Sequence, residues 1–161
     1  MTYLKSVISA VLLFSTSAWA CPDFSGEWIG TCQSDDEELE QEVSFKISQR
    51  GCERFVFNGE TIKVGLLETQ TLDNMGRNTS LPSGRTIKTS VSHWAQDMLV
   101  IDSMEMRVSP KRDEGVDVSK TMNQKKLFLD KDGRLTYRSI SRMAVGENID
   151  VNEVICRCQK Q

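Results

Sequence analysis

The sequence predicts an all-β protein, built as an antiparallel up-and-down meander of eight or nine strands. Apolar and polar residues alternate along most segments, and turn signals separate these segments at short intervals. No stretch of about a dozen residues shows the apolar spacing of an amphipathic helix. A small barrel suits such a meander best, and a sandwich is the alternative that the pattern leaves open.

The first 20 residues have the composition of a secretory signal peptide. They contain Lys5, an apolar run over residues 7–14 and the box Ala18-Trp19-Ala20, which is the layout of a signal with an A-x-A cleavage site. The run is shorter than the roughly 20 residues that span a bilayer. We therefore expect a signal peptide over 1–20, a single domain over 21–161 and export to the periplasm or the medium. We expect no transmembrane segment.

Length and charge narrow the class of protein. The chain has 161 residues, with 20 Lys and Arg against 23 Asp and Glu. One domain of ordinary size with a mildly acidic surface follows. Such a surface lacks the long-range attraction that nucleic acids or anionic membranes require, so nucleic acid is not an expected partner.

Five cysteines lie beyond the predicted signal peptide: Cys21, Cys32, Cys52, Cys156 and Cys158. In an exported chain such cysteines indicate disulfides rather than a reduced metal cage, and an odd number leaves one thiol over. Lipid attachment at Cys21 is the less favoured alternative, because Ala18 stands where lipoprotein signals usually carry a branched aliphatic residue.

The segments 24–32 and 43–48 predict the first hairpin. One face of the first holds Phe24, Gly26, Trp28, Gly30 and Cys32, and one face of the second holds Val43, Phe45 and Ile47. Setting Trp28 opposite Phe45 brings the two apolar faces together throughout, with Gly30 opposite Val43. This matching of faces fixes our preferred register.

The same register sets Cys21 opposite Cys52, which is our preferred first disulfide. Closing a barrel brings the last strand beside the first, so Cys32 then meets Cys156 or Cys158. Those two share a strand face and would close a strained small ring with each other. We expect one of them to bridge to Cys32 and the other to stay free.

Later turns predict further hairpins. The strongest signal is Asn58-Gly59 between two β-rich runs, and others lie at 95–97 and 130–133, before a last strand over 151–158. Two polar stretches, 68–84 and 109–115, are predicted loops, and the longer one has the length to cover a cavity.

The motif Gly26-Glu27-Trp28 resembles the Gly-x-Trp of the lipocalin and avidin barrels. The likeness covers about residues 21–60. In those families the tryptophan plugs one end of an up-and-down barrel, so the resemblance implies a barrel plugged by Trp28, with Arg142 as the arginine that stacks on it. The motif also fits the physical expectation that strand glycines permit close approach and that an aromatic fills a barrel end.

Avidin's later tryptophan pattern is not found, so the resemblance does not imply biotin binding. The opening of the chain also resembles that of small uncharacterised exported bacterial proteins, a likeness that implies no chemistry.

Candidate site residues are few. His93, the only histidine, shares a strand face with apolar residues. No partners are evident for a catalytic triad or a metal site. A position that lines the barrel or lies at its rim is therefore favoured. Met104 and Met106 share a face with Val100. Adaptable methionines can line a site for varied apolar ligands, and core packing explains them equally well.

Two acidic segments suggest calcium without matching a calcium loop. Residues 34–42 are predicted as a solvated acidic turn, and residues 130–133 as a hairpin turn, because the glutamate that would complete a calcium loop is missing. We expect no metal and no cofactor.

Two hypotheses for function follow. The first is a non-enzymatic barrel that binds a small, mostly apolar ligand in its interior; its ligand-binding or barrel-lining residues are Trp28, Phe45, His93, Met104 and Met106. The second is an envelope or secreted protein-binding module, an inhibitor or surface factor, that acts through its loops on a filled scaffold. A void behind the inward face would favour the first, and a closed core the second. An enzyme ranks third, because no catalytic constellation is evident.

Overall fold

A computed structural model describes residues 21–35, 37–74, 84–110, 115–146 and 148–161. The predicted signal peptide lies outside these ranges. The described ranges contain no helix and ten strands, which are β1 (Gly26–Ser34), β2 (Glu37–Arg50), β3 (Arg54–Phe57), β4 (Glu60–Lys63), β5 (Leu67–Asn74), β6 (Gly84–Ala95), β7 (Met98–Pro110), β8 (Val116–Leu129), β9 (Leu135–Val145) and β10 (Asn148–Lys160).

All ten strands form one antiparallel sheet in the order β4-β3-β2-β1-β10-β9-β8-β7-β6-β5. The sheet curls into a half-barrel. The last strand, β10, pairs with the first strand, β1, and the open seam lies between the edge strands β4 and β5. The predicted all-β antiparallel meander is confirmed. The described strands belong to a single sheet, whereas a sandwich would divide them between two.

The sequence predicts eight or nine strands, and the described ranges contain ten. The additional strand, β5, comes from a stretch that was predicted as a loop. Residues 68–74 of the predicted loop 68–84 belong to β5, which pairs with β6 from Leu67 to Asn74. That part of the prediction is wrong, and residues 75–83 lie outside the described ranges. Of the predicted loop 109–115, Ser109 and Pro110 belong to β7, and residues 111–114 lie outside the description.

The acidic segment 34–42 is also mostly strand. β1 continues to Ser34 and β2 begins at Glu37. The predicted acidic turn over 34–42 is therefore wrong, because only residues 35 and 36 lie between the two strands. The glutamates and the glutamine of this segment are carried by β2, which pairs with β1 down to Glu37.

The first hairpin has the predicted register. Trp28 lies opposite Phe45 and Gly30 opposite Val43. The β3–β4 turn is also as predicted: Asn58 and Gly59 have φ angles of 47° and 88°, the left-handed pair that a two-residue hairpin with matching twist requires.

Both predicted disulfides are present. Cys21 bonds to Cys52 with a Cα–Cα distance of 5.6 Å, and Cys32 bonds to Cys156. Cys158 is the free thiol; it is fully buried, and burial raises its pKa. The second bridge joins β1 to β10, which are paired along β1 from Trp28 onwards.

The core fills one end of the half-barrel, where β1 begins and β10 ends. It contains Phe24, Trp28, Phe45, Ile47, Phe55, Leu99, Leu127, Leu135, Cys156 and Cys158. The indole of Trp28 is 2% exposed, and its Nε1 donates a hydrogen bond of 2.8 Å to the carbonyl of Phe24. The cation over the Trp28 ring is the Nζ of Lys160, 5.6 Å from the ring centre.

The assignment of Arg142 as the stacking arginine is therefore wrong. Arg142 lies opposite Met122, in the outer part of β9, whereas the strand that flanks Trp28 is β10.

Side-chain and turn contacts bridge the open seam. The indole Nε1 of Trp94 in β6 donates to the carbonyl of Cys52 (2.9 Å), and Ser92 Oγ donates to the carbonyl of Lys63 (2.8 Å). The backbone N–H of Gly65 donates to the carbonyl of Ser92 (2.7 Å). The β3–β4 hairpin is thereby held against β6.

Candidate functional site

Inside the half-barrel, a small cavity lies beside the core. Its volume is about 100 Å³, and its lining combines apolar side chains such as Leu127 and Tyr137 with polar side chains such as Lys63, Ser90 and Lys125. The rings of Phe45 and Phe57 lie 5.1 Å apart, and each approaches Tyr137 across the curled sheet. The rings of Phe45, Phe57 and Tyr137 thus pack together on the inward face of the sheet.

A larger concavity lies on the opposite face of the sheet. This outer groove has a volume of about 360 Å³ and crosses five strands, from β5 to β9. It is lined by Leu67, Thr89, Ser90, Val91, Asp102, Ser103, Met104, Met122, Asn123, Gln124, Ile140 and Arg142.

The groove lies on a sheet face that carries apolar residues beyond the level at which the inward face becomes polar. Successive strand residues point to opposite faces, and near the core Leu99 and Ile101 of β7 point inward. Beyond them the inward positions become polar, beginning with Ser103. The outward positions of β7 include apolar residues both beside the core and beyond it, among them Val100, which is 5% exposed, and Met104. An apolar patch therefore forms outside the half-barrel rather than inside it.

Cross-strand register assembles the apolar floor. Met104 of β7 lies opposite Met122 of β8, and Met122 lies opposite Arg142 of β9. Val91 of β6 lies opposite Leu67 of β5 at the other end of the groove. Side chains directly opposite each other on one sheet face are in contact range. Val91 is only a diagonal neighbour of Met104, because Thr89 lies opposite Met104 and Asp102 lies opposite Val91.

The polar groups of the groove fall into two sets. Asp102 accepts a hydrogen bond of 2.8 Å from the Nε2 of Gln124, and the Nδ1 of His93 lies 4.0 Å from the other carboxylate oxygen. The side chain of Arg142, at the β9 end, is exposed and makes no hydrogen bond or ion pair with the described part of the chain. The carboxylate is thus engaged within the protein, and the guanidinium is available to a ligand.

The five predicted ligand-binding or barrel-lining residues fall into two separate groups. Trp28 and Phe45 are in the core, opposite each other. His93, Met104 and Met106 lie on the other face, where Met104 lines the outer groove and His93 stands beside Asp102. Met106 pairs with Ile87 and Lys120, one step further along the strands.

The sequence prediction did not include most of the groove, and in particular not Met122, Ile140 and Leu67. Met122 is flanked by polar residues in the segment KTMNQKK, so no alternation singles it out. Its contact with Met104 depends on the β7–β8 register, which a sequence pattern does not supply for strands with two half-exposed faces.

Within the described ranges, no cluster of three or more His, Cys, Asp or Glu side chains is arranged to hold a metal ion. The same ranges contain no helix of the length and apolarity that crossing a membrane requires.

Comparison with protein-family models, with curated proteins and with solved structures finds no match to this chain. The resemblance to lipocalin and avidin barrels stays a prediction.

Proposed function

We propose that this protein is an exported, non-enzymatic binding protein that holds a small, mostly apolar ligand in the outer groove. The observation that carries the proposal is the apolar floor formed by Met104, Met122 and Ile140 inside a concavity of about 360 Å³. Ligand sites in proteins typically measure about 300–1,000 Å³ and combine an apolar lining with a few polar groups. Methionine side chains also adapt to varied apolar shapes.

The choice of the groove over the interior rests on size. The interior cavity of about 100 Å³ lies well below the usual range for ligand sites, and on one side it is bounded by Phe57 and the core side chain Leu127. An interior ligand would have to displace packed aromatic rings, whereas the groove is open to solvent. The interior site predicted from sequence remains the competing location.

Export is the setting that the disulfides favour. Cys21–Cys52 and Cys32–Cys156 are both formed, and such bonds persist mainly in oxidising compartments such as the periplasm or the extracellular medium. Binding outside the cytoplasm is therefore part of the proposal.

The direct test is a fluorescence titration with the uncharged apolar dye Nile red. We expect saturable one-to-one binding to the parent protein and at least tenfold weaker binding to Met122→Glu, because the new carboxylate would lose water when the dye binds. Met143→Glu is the matched control: Met143 is 43% exposed, as is Met122, but it lies opposite Thr121 on the other sheet face. Binding that is absent, or weakened equally by both changes, would contradict the proposal.

The filled core favours a second candidate, a module that binds a protein partner in the envelope or the medium. Exposed apolar side chains continue beyond the groove at Val118, Ile149 and Val151, and contiguous apolar surface often marks a protein interface. Native mass spectrometry of the protein purified from its host separates the two candidates. A small added mass supports the ligand, and the mass of a second protein supports the module.

A further inference from the structure

We propose that the ligand of the outer groove is a single-chain amphiphile with an anionic head group, and that Arg142 binds the head group. This inference rests on the proposed function and specifies the class of ligand. Arg142 lines the β9 end of the groove, and the apolar side chains of Met122, Met104 and Val91 lie on successive strands towards β5. A guanidinium at one end of an apolar groove matches a molecule with one charged end.

The nearby carboxylates do not neutralise Arg142. Glu153 of β10 lies opposite Ile140, two residues from Arg142, but it is bonded to Arg138. Asp102 accepts from Gln124 and lies two strands and two residues away, roughly 12 Å by ordinary strand spacings. The charge of Arg142 therefore lacks an internal partner in the described part of the chain.

A second cation strengthens the positive potential at this end. Lys120 lies opposite Ala144 on the same outer face, diagonally adjacent to Arg142, and it makes no ion pair with any described residue. Lys120 does not line the groove, but a second unpaired cation beside Arg142 adds to the attraction for an anion. Arginine also holds a carboxylate or a phosphate through two parallel hydrogen bonds, which favours it over an isolated ammonium as the head-group ligand.

The rest of the groove sets the orientation of the ligand. From β9 to β5 it crosses four strand spacings, roughly 19 Å, and the apolar residues Val91 and Leu67 line its far end. Asp102 and the neighbouring His93 lie between the two ends, and the carboxylate disfavours an anionic head in the middle of the groove. The head group therefore belongs at Arg142, and the chain extends across the strands towards Leu67.

Three probes with the same alkyl chain test the proposal: decanoate, decanol and decyltrimethylammonium, each titrated calorimetrically below its aggregation concentration. We expect the parent to bind decanoate at least tenfold more tightly than decanol, and the cation most weakly. In Arg142→Gln the ratio of decanoate to decanol affinity should fall close to one, and Arg142→Lys should keep part of it. Added salt should weaken decanoate binding more than decanol binding.

The control variant is Arg157→Gln, which removes an exposed guanidinium of the neighbouring strand β10 that lies opposite Thr136 and does not line the groove. It should keep the parent's preference for decanoate. Equal affinities of decanoate and decanol in the parent, or a preference that persists in Arg142→Gln, would overturn the anionic-ligand proposal and leave the proposed function standing. Failure of all three probes to bind would overturn both.

Discussion

Cys32 in β1 and Cys156 in β10 lie directly opposite each other in an antiparallel register, and a disulfide joins them. The bond fastens the first strand to the last, which are neighbours in the middle of the sheet, and it thereby joins the two ends of the meander covalently. The two cysteines are 124 residues apart. A cross-link over such a long loop removes much of the entropy of the unfolded chain.

Removing this bridge should destabilise the fold severely. For Cys32→Ala/Cys156→Ala we expect a loss of about 4–5 kcal/mol in the free energy of unfolding, measured by urea denaturation. Cys158→Ala is the control, because it removes a buried thiol without breaking a bond, and it should cost about 1 kcal/mol. A double variant as stable as the Cys158 variant would show that the bridge does not stabilise the sheet.

Trp28 should contribute more to stability than its neighbour on the strand. Trp28→Ala is expected to cost about 3–5 kcal/mol, because a buried indole is replaced by a cavity and the hydrogen bond to Phe24 is lost. Ile29→Ala, at a site that is 44% exposed, should cost less than about 1 kcal/mol. Thermal and urea unfolding of the two variants provide the comparison. Similar losses in both would contradict the packing described for this end of the half-barrel.

Gly30 is needed for the close approach of β1 and β10. A Cβ atom at Gly30 would lie 1.9 Å from the carbonyl oxygen of Arg157, so Gly30→Ala must push the two backbones apart. We expect a loss of at least about 2 kcal/mol, as overpacking of a rigid site produces. At Gly84 the nearest atom would be 3.0 Å away, so Gly84→Ala should be milder. Urea unfolding of both variants provides the measurement. The unfolding midpoint of Gly30→Ala should be the lower of the two, and the reverse order would contradict the close approach of β1 and β10.

The hairpin turn after β8 should make stability depend on pH in the acid range. Hydrogen bonds, foremost that from the backbone N–H of Arg134, lower the pKa of Asp130 below its ordinary value of 3.8. The ionised carboxylate therefore stabilises the folded state above this ordinary value, and the stabilisation is lost as the pH falls through the lowered folded-state pKa.

Asp130→Asn tests this dependence. Its deficit in unfolding free energy relative to the parent should be full at neutral pH and should shrink below about pH 4. Asp97→Asn is the control. Asp97 lies in the hairpin turn after β6, and its side chain makes no hydrogen bond or ion pair with the described residues. We expect no such trend for this variant. A deficit for Asp130→Asn that stays constant down to about pH 2 would contradict the role of the ionised carboxylate.

Much of the fold could be predicted where one strand face is buried. Trp28 and Phe45 fix the first register, because a slip of one residue would expose every apolar side chain of the hairpin. That register and the closure of the sheet led to both disulfides. β5 was missed because both of its faces are largely exposed: Leu67, Thr69 and Thr71 are as accessible as their neighbours, so no period of two marks the strand.

The candidate site was less predictable, for a related reason. Met104 stands in a clear alternation with Val100 and Val108 and was identified as a candidate. It was predicted to line the barrel, whereas it lines the outer groove. Met122 and Arg142 reach the same groove only through the pairing of β7, β8 and β9. The inward positions of these strands become polar where the core ends, and that point depends on packing across the whole sheet.

The central claim is that ligand binding occurs in the outer groove, and methyl NMR of methionine-labelled protein during a decanol titration tests it most directly. The methyl signals of Met104 and Met122, assigned by single Met→Leu changes, should shift along one saturable curve, because both side chains line the groove. The indole N–H signal of Trp28, buried in the core and bonded to Phe24, should stay in place. Saturable shifts of Trp28 or of the Tyr137 ring, with unmoved methionine signals, would place the ligand in the interior and contradict the account.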